Sequence, residues 1–512
     1  MNKYSFNLLI VCFSLLLTVN LRADEESFQE VKIQLAKGKG SIYQLLNQVS
    51  EQSGYMFIYD SQLIDNDKIV KVPVGEYTLT DAIRLITGNN QINIRTIGNH
   101  ILLYIPVEAK KNAVSLSLGT TEEDSCFTME GTLLDHLSGD PIIYGSISVS
   151  GNSYGTISNQ NGEFKLILPD SLLQSTIKFS HIGYITREIE ASLLSGRHIV
   201  FYMDQKVIPL QEVVVRAVDP LRTIGEMMDK RRQNYSLEPV YITAFYREGV
   251  EYKKNVTLSE AVLKIYKTGF LSSVGSEQVK LLKMRRMTNN DDKDAFVAKI
   301  KSSVNSSQLL DLVKNPTDFL LQESQPQYSF AHTDITTIDD RRVYVFSFEQ
   351  HNRIVEPLFR GELYIDADNY ALIKARFEVH PDYVRKTKDM LVLKSSHNLD
   401  VIPEKVVYEV EYKLVNNIYY INHIRGDLDF KVRKKNRMFS SNLHMWLEMV
   451  NCKIDTLDVK RFPNDERIST HNIFAETRFS YDKDFWGNFN VILPEEKLKE
   501  IIQKYNFNQK KY

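Results

Sequence analysis

Gly151-Asn152-Ser153-Tyr154-Gly155 has the spacing of a nucleophile elbow, G-x-S-x-G. That chemistry needs a strand-to-helix turn that lifts the serine above a parallel sheet. Here a strand pattern follows, so Ser153 reads as a loop residue. Lys37-Gly38-Lys39-Gly40-Ser41 is rich in phosphate-friendly residues. It lacks a contiguous Gly-Lys-Ser/Thr end and the four-residue gap of a P-loop, and reads as a loop before a capped helix. The histidines are His100, His136, His181, His198, His332, His351, His380, His397, His423, His444 and His471. None forms H-E-x-x-H or has a glutamate three residues on, so no local zinc signature exists. Asn290-Asp291-Asp292-Lys293-Asp294 has no central glycine and no distal glutamate, and reads as a solvated loop, not a calcium loop. Arg433-Lys434-Lys435-Asn436-Arg437 is a basic cluster at an expected strand turn. Lipid head-group contact is one reading, and a solvated turn is the favoured one. The expectation is no catalytic residue, no cofactor and no metal.

The elements that would position such groups start in mid-chain. Tyr154 to Leu168 reads as a β-hairpin, with Phe164, Leu166 and Leu168 alternating and Asn161-Gly162 suited to a type I′ turn. A hairpin cannot stand alone, and flanking apolar runs (142–149, 177–182, 199–203) complete a small β-sandwich. Gly155-Thr156-Ile157, Asn161-Gly162-Glu163-Phe164, His181-Ile182-Gly183-Tyr184 and Leu210-Gln211-Glu212-Val213-Val214-Val215 together resemble the carboxypeptidase-regulatory-like domain, over roughly residues 127 to 217. The resemblance implies a prealbumin-like sandwich without catalytic residues of its own, common at the N-termini of TonB-dependent outer-membrane receptors.

The chain of 512 residues is long enough for about three domains. Its net charge of −2 gives no electrostatic case for nucleic acid, and 27 tyrosines with 25 phenylalanines suit a β-rich chain. Residues 1–23 read as a cleavable signal peptide: Lys3, an apolar stretch from Phe6 to Val19, and Leu21-Arg22-Ala23 before Asp24. Ile10-Val11 ahead of Cys12 lacks the small residue that lipidation needs. Cys126 and Cys452 fall in different modules, which argues against a disulfide.

Residues 30–107 read as an α/β unit. Ser41 and Gln44 form a capping box, with Ile42, Leu45, Leu46 and Val49 on one face and Gly54 as the stop. Thr78 caps a second helix with Leu79, Ala82, Ile83 and Ile86 inside, and Gly88 stops it. VKIQLAKGKGSIYQLLNQVSEQSGYMFIYD and YTLTDAIRLITGNNQINIRTIGNHILLYI resemble the secretin and TonB N-terminal (STN) domain. That implies a periplasmic module that docks a protein partner. Residues 108–125 read as a linker, 126–217 as the sandwich and 218–237 as a connector helix begun by Asp219-Pro220 with a face of Leu221, Ile224, Met227 and Met228. Residues 238–512 form an antiparallel β-rich domain, with helices expected at 294–300, 307–313 and 495–505. VYVFSFEQ followed by GELYIDADNYALIKARFEV is similar to the half-barrel family of lipoprotein carriers and sorting factors, which implies a curved antiparallel sheet able to hold acyl chains.

The fold class is therefore multidomain α+β, mostly β: a small α/β module, a β-sandwich, then a large antiparallel sheet with a few helices. The function expected is that of a non-enzymatic periplasmic envelope protein. It would bind a signalling or transport partner through its N-terminal modules, and a partner or apolar ligand through its C-terminal domain, with or without outer-membrane association. The alternatives are an outer-membrane β-barrel with periplasmic modules and, less favoured, an envelope hydrolase built on a carboxylate pair.

Overall fold

Two helices fold where their caps dictate. Helix α1 (Ile42–Ser53) starts on Ser41, whose hydroxyl accepts from the Gln44 amide while the Gln44 side chain accepts from the Ser41 amide. Helix α2 (Leu79–Thr87) starts on Thr78. Gly54 and Gly88 end them at φ 72° and 65°, left-handed conformations that glycine adopts without penalty. The inner faces expected from the period are all buried.

The computed structural model describes residues 31–35, 38–60, 63–66, 68–97, 100–105, 125–206, 218–253, 255–288, 298–300, 303–395, 399–435, 439–468, 486–496 and 498–500. The expected leader 1–23, linker residues 108–124, the turn Gly98-Asn99, the Leu210–Val215 run, the acidic run 290–294 and most of the terminal helix 495–505 lie outside them. The chain divides into two compact units, one holding residues up to 124 with 129–139 and 194–202, the other holding the rest.

The strands in chain order begin with β1 (Lys32–Leu35), β2 (Lys39–Ser41), β3 (Met56–Asp60), β4 (Ile69–Lys71), β5 (Gly75–Thr78), β6 (Asn93–Ile97) and β7 (His100–Tyr104). There follow β8 (Cys126–Asp135), β9 (Ser146–Val149), β10 (Gly155–Ile157), β11 (Glu163–Pro169), β12 (Thr176–Ser180), β13 (Arg187–Glu190), a short helix α3 (Ala191–Leu194) and β14 (His198–Met203). In the first unit β1 pairs with β5, β2 with β4, and the main sheet runs β8-β14-β3-β7-β6. β14, from the stretch read as sandwich, lies antiparallel to β3, with Val200 opposite Tyr59. Val200 and Tyr202 therefore share one apolar core with both helices.

The mid-chain hairpin is corrected. β10 pairs with β9, and the two join β12 and β13 in a four-stranded sheet, while β11 belongs to a different sheet. Gly162 has φ 75° but Asn161 is not left-handed, so the turn is not type I′. Asn159 shapes it instead: its side-chain oxygen accepts from the amides of Asn161 and Glu163. Phe164, Leu166 and Leu168 are buried as the alternation requires.

Helix α4 (Pro220–Asp229), capped by Asp219, and α5 (Arg231–Asn234) lead into the large sheet. Ile224 and Met227 are buried in its core, whereas Leu221 is 45% exposed, outside the face expected for it. The remaining strands are β15 (Val240–Tyr252), β16 (Asn255–Lys267), β17 (Gln278–Thr288), β18 (Ala298–Ile300), β19 (Tyr328–Ile338), β20 (Arg341–Gln350), β21 (Phe359–Asp366), β22 (Leu372–Val379), β23 (Val392–Ser395), β24 (Leu399–Val415), β25 (Ile418–Lys434), β26 (Ser440–Asp455) and β27 (Arg467–Ile468). Helix α6 covers Ser303–Leu309 and α7 covers Lys388–Leu391. Residues 298–300, expected to be helical, are strand β18 paired with β23, and the helix expected at 307–313 is α6, displaced toward the N-terminus. Eleven strands form one sheet in the order β19-β20-β21-β22-β24-β25-β26-β15-β16-β17-β27. Among the described residues no pairing joins its edges β19 and β27.

Alternation gives the sheet two faces. One, the core face, carries Ala244, Tyr246, Leu263, Phe346, Phe377 and Ile424, and it is filled by Leu312, Val313, Phe319 and Leu320 from the segment after α6. Phe319 stacks on Phe348 with centroids 4.3 Å apart and meets Phe377 edge-on at 5.2 Å. The core face is thus packed in this region by the chain itself. Phe319→Ala is expected to cost ~3–5 kcal/mol in urea unfolding and to create binding for a small apolar probe, whereas Phe319→Leu costs less.

Candidate functional site

The other face of the large sheet carries charge, and across β15, β16, β25 and β26 that face too is buried at its centre. Along β15 the residues on this face are Phe245, Arg247 and Gly249; β26 adds Trp446, Glu448 and Val450, and β25 adds His423, Arg425 and Asp427. Arg247 is 2% exposed and Glu260 and His423 are fully buried. What covers them is the second unit's own chain: Ile157 of β10 and the apolar residues Val491 and Ile492 pack with Phe245, Val262, Val450 and Cys452.

The buried charges bond to one another. Arg247 donates through Nε to Glu260 Oε1 at 2.7 Å and through Nη2 to the Ile492 carbonyl at 2.7 Å. Arg285 donates to the second Glu260 oxygen at 2.6 Å and lies over the Trp486 ring. Glu448 sits 3.2 Å from His423 Nε2, 3.6 Å from Arg425 and 3.8 Å from Arg247. Arg425 holds Asp427 with two hydrogen bonds of 2.7 and 2.9 Å. Burial works against ionisation of both glutamates, but their partners prevail: Arg247 and Arg285 hold Glu260, and the hydrogen bond with His423 and the Arg425 charge hold Glu448, below the ordinary carboxylate range. Nearby Glu495 shifts the other way, raised by burial and by Glu448. Asn490 adds a clamp: its side chain accepts from the Ile167 amide at 2.6 Å and donates to the Ile167 carbonyl at 3.0 Å, acting as one residue of strand partner.

Beside this network lies a small cleft of about 90 Å³, bounded by β9 and β12 on one side and β24 on the other. Ser146, Ser148, Lys178, His181, Glu411 and Lys413 line it. Lys374 bridges Glu409 and Glu411 at 2.8 and 2.6 Å, and Lys178 pairs with Asp339 at 3.1 Å. Burial pushes the Lys413 ammonium down to about 8, with Lys178 adding to the effect, and its amine donates to the Asn451 carbonyl at 3.1 Å. Burial also lowers His181. Titratable groups therefore gather here, but Glu409 and Glu411 share Lys374 and Asp339 is paired with Lys178.

The sequence patterns distribute differently. Gly151–Gly155 is the loop of the β9–β10 hairpin, with Gly151 at φ 69° and no helix after Ser153. Ser41 is a helix cap. Arg433 and Lys434 end β25, with Arg437 outside the described residues. His423 and His181 reach the network and the cleft; His397 and His471 lie outside the described residues. No group of three or more His, Cys, Asp or Glu among the described residues is arranged to hold a metal ion. Alternation marks Arg247, Glu448 and Arg425 as polar residues of a strand. It carries no signal that distant chain buries them.

A family model of the CarboxypepD_reg-like domain matches residues 129–215. No curated protein matches the chain. Among solved structures, the chain is similar to a domain described as an outer membrane lipoprotein-sorting protein from Vibrio parahaemolyticus, at 7% identity, over 46% of this chain and 94% of that one, with a TM-score of 0.20. A LolA superfamily protein from Nitrosomonas europaea matches at 9% identity, 49% and 97% coverage and a TM-score of 0.18. Lipovitellin matches at 10% identity, 45% and 27% coverage and a TM-score of 0.20. At these scores the structural matches carry no argument.

Two substitutions test the electrostatics. Asp427, held down at about 2 by His444 and Arg425 against the effect of burial, contributes stability that is full above its ordinary 3.8 and is lost as pH falls through about 2. Asp427→Asn should remove that part of the acid limb, about 1–2 kcal/mol after solvent screening, in unfolding measured from pH 5 to 2. Lys413 behaves oppositely: its lowered value destabilises the fold below about 8, and the loss is relieved as pH rises toward 10.5. Lys413→Met should raise stability near pH 7 by at most ~3 kcal/mol, with the gain vanishing near pH 10.5.

Proposed function

We propose that the protein is a non-enzymatic binding protein of the bacterial envelope, exported to the periplasm, whose N-terminal α/β module is an STN-like docking domain for a protein partner. The observation that carries the non-catalytic part is the mutual engagement of the buried charges, with Glu448 held by Arg247, Arg425 and His423 and with Glu409 and Glu411 sharing Lys374. A general acid or base needs a free group facing substrate. The CarboxypepD_reg-like match at 129–215 supports an envelope role. Phe319 and its neighbours pack on the core face of the large sheet, so an apolar ligand of the C-terminal domain would be held beside them.

Docking is assigned to the small β2–β4 ribbon. β4 bonds to β2 in that two-stranded sheet and has no second strand partner among the described residues, and Ile69 and Val74 beside it are 66% and 67% exposed. Affinity capture after cross-linking in envelope extracts should recover a partner with the wild-type chain and lose it with Ile69→Asp/Val74→Asp, while the melting temperature is unchanged. Equal capture by the double variant would remove the docking role. Saturable turnover of peptidoglycan fragments, abolished by Lys413→Met, would replace the binding reading with an enzymatic one.

A further inference from the structure

At one end of the large sheet three strands outrun their neighbours. β24 bonds to β22 only through Val407–Glu411, so its first eight residues project past β22. β26 bonds to β15 only from Leu443 onward, so Ser440–Asn442 project past β15, about 10 Å at strand rise. Between them β25 stays paired with both, to Lys434 on one side and Arg433 on the other, with a bulge in β24 at Pro403–Lys405. The result is a three-stranded finger. It has a small apolar core of its own, including Val401, Val406, Phe430 and Leu443, covered by Val384 and Leu391 of the segment that ends in α7.

The tip of this finger combines two features that rarely meet on a water-facing surface. Phe439 is 90% exposed and Met390 of α7 is 61% exposed. Asp400 ties their surroundings together, bonding Lys388 at 2.5 Å and Arg433 at 3.4 Å. Lys434 and Lys435 are exposed beside them. Across residues 384–391, 399–405 and 429–435 there are eight Lys or Arg to four Asp or Glu, in a chain with 63 against 65. The positive excess is therefore local to the finger.

We propose that this tip is a membrane-contact site that docks on an anionic phospholipid bilayer, with Phe439 and Met390 entering the head-group boundary and Lys434, Lys435 and Arg433 facing lipid phosphates. Charge complementarity selects a lipid surface: basic side chains around a protruding aromatic match anionic head groups over acyl chains, and an apolar protein groove would not need them. The proposal stands apart from the docking ribbon of β2 and β4, and a failure of either leaves the other in place.

Vesicle flotation with the full chain is the test, because every variant carries the same N-terminus. Partition into phosphatidylcholine vesicles containing phosphatidylglycerol should exceed that into phosphatidylcholine alone and fall with added salt. Phe439→Ser/Met390→Ser should lower it by about tenfold or more. Lys434→Glu/Lys435→Glu should lower it by at least about fivefold for each lysine lost. Phe439→Trp should shift its emission to the blue only with the anionic vesicles. Equal flotation of all variants would overturn the proposal. So would self-association without lipid that Phe439→Ser abolishes, since the tip would then be a contact between copies.

Discussion

The contact that the second unit depends on is the one between Arg247 and Glu260, made inside protein on the face of a sheet that alternation would leave wet. An antiparallel sheet can solvate one face and bury the other. Here Phe319 and its neighbours fill one face while β10 and residues 486–496 cover the other. Every polar residue on the covered face then needs a partner in protein. Arg247 finds Glu260, Glu448 and the Ile492 carbonyl; Arg425 finds Glu448 and Asp427. Such a network adds little over apolar packing of equal volume, but removing one partner strands a charge in the interior. It therefore favours one way of laying the covering chain over any shifted alternative.

Much of the N-terminal unit was legible because its signals are local. Ser41 with Gln44, Thr78, and the two stop glycines read out as caps where they stand. The periodic faces of both helices were equally plain, since burial follows directly from spacing. What local signals could not show is which strand a strand prefers. β14 bonds to β3, nearly 140 residues earlier, and β10 turned back to β9 although an Asn-Gly pair lay between it and β11. In that turn Asn159 supplies two side-chain hydrogen bonds and overrides the dipeptide preference.

The large domain was legible as alternating strands and not as a site. The same alternation that identified β15 and β25 as half-polar strands made Arg247, His423 and Arg425 look like solvated residues. Their burial comes from chain far away in sequence, and nothing in the spacing of β15 announces it. Segments with mixed signals were misplaced: residues 298–300 pair as a strand, and α6 lies ahead of its expected start.

The Asn490 clamp and the Ile492 carbonyl have a consequence for how the molecule is made. Arg247 waits for an acceptor 245 residues downstream. Until that stretch is in place, the part of the sheet that it covers leaves Arg247 without the Ile492 carbonyl and Phe245 and Val450 without Val491 and Ile492. A chain that stops short of residues 486–496 therefore presents an apolar and charged surface that the finished domain conceals.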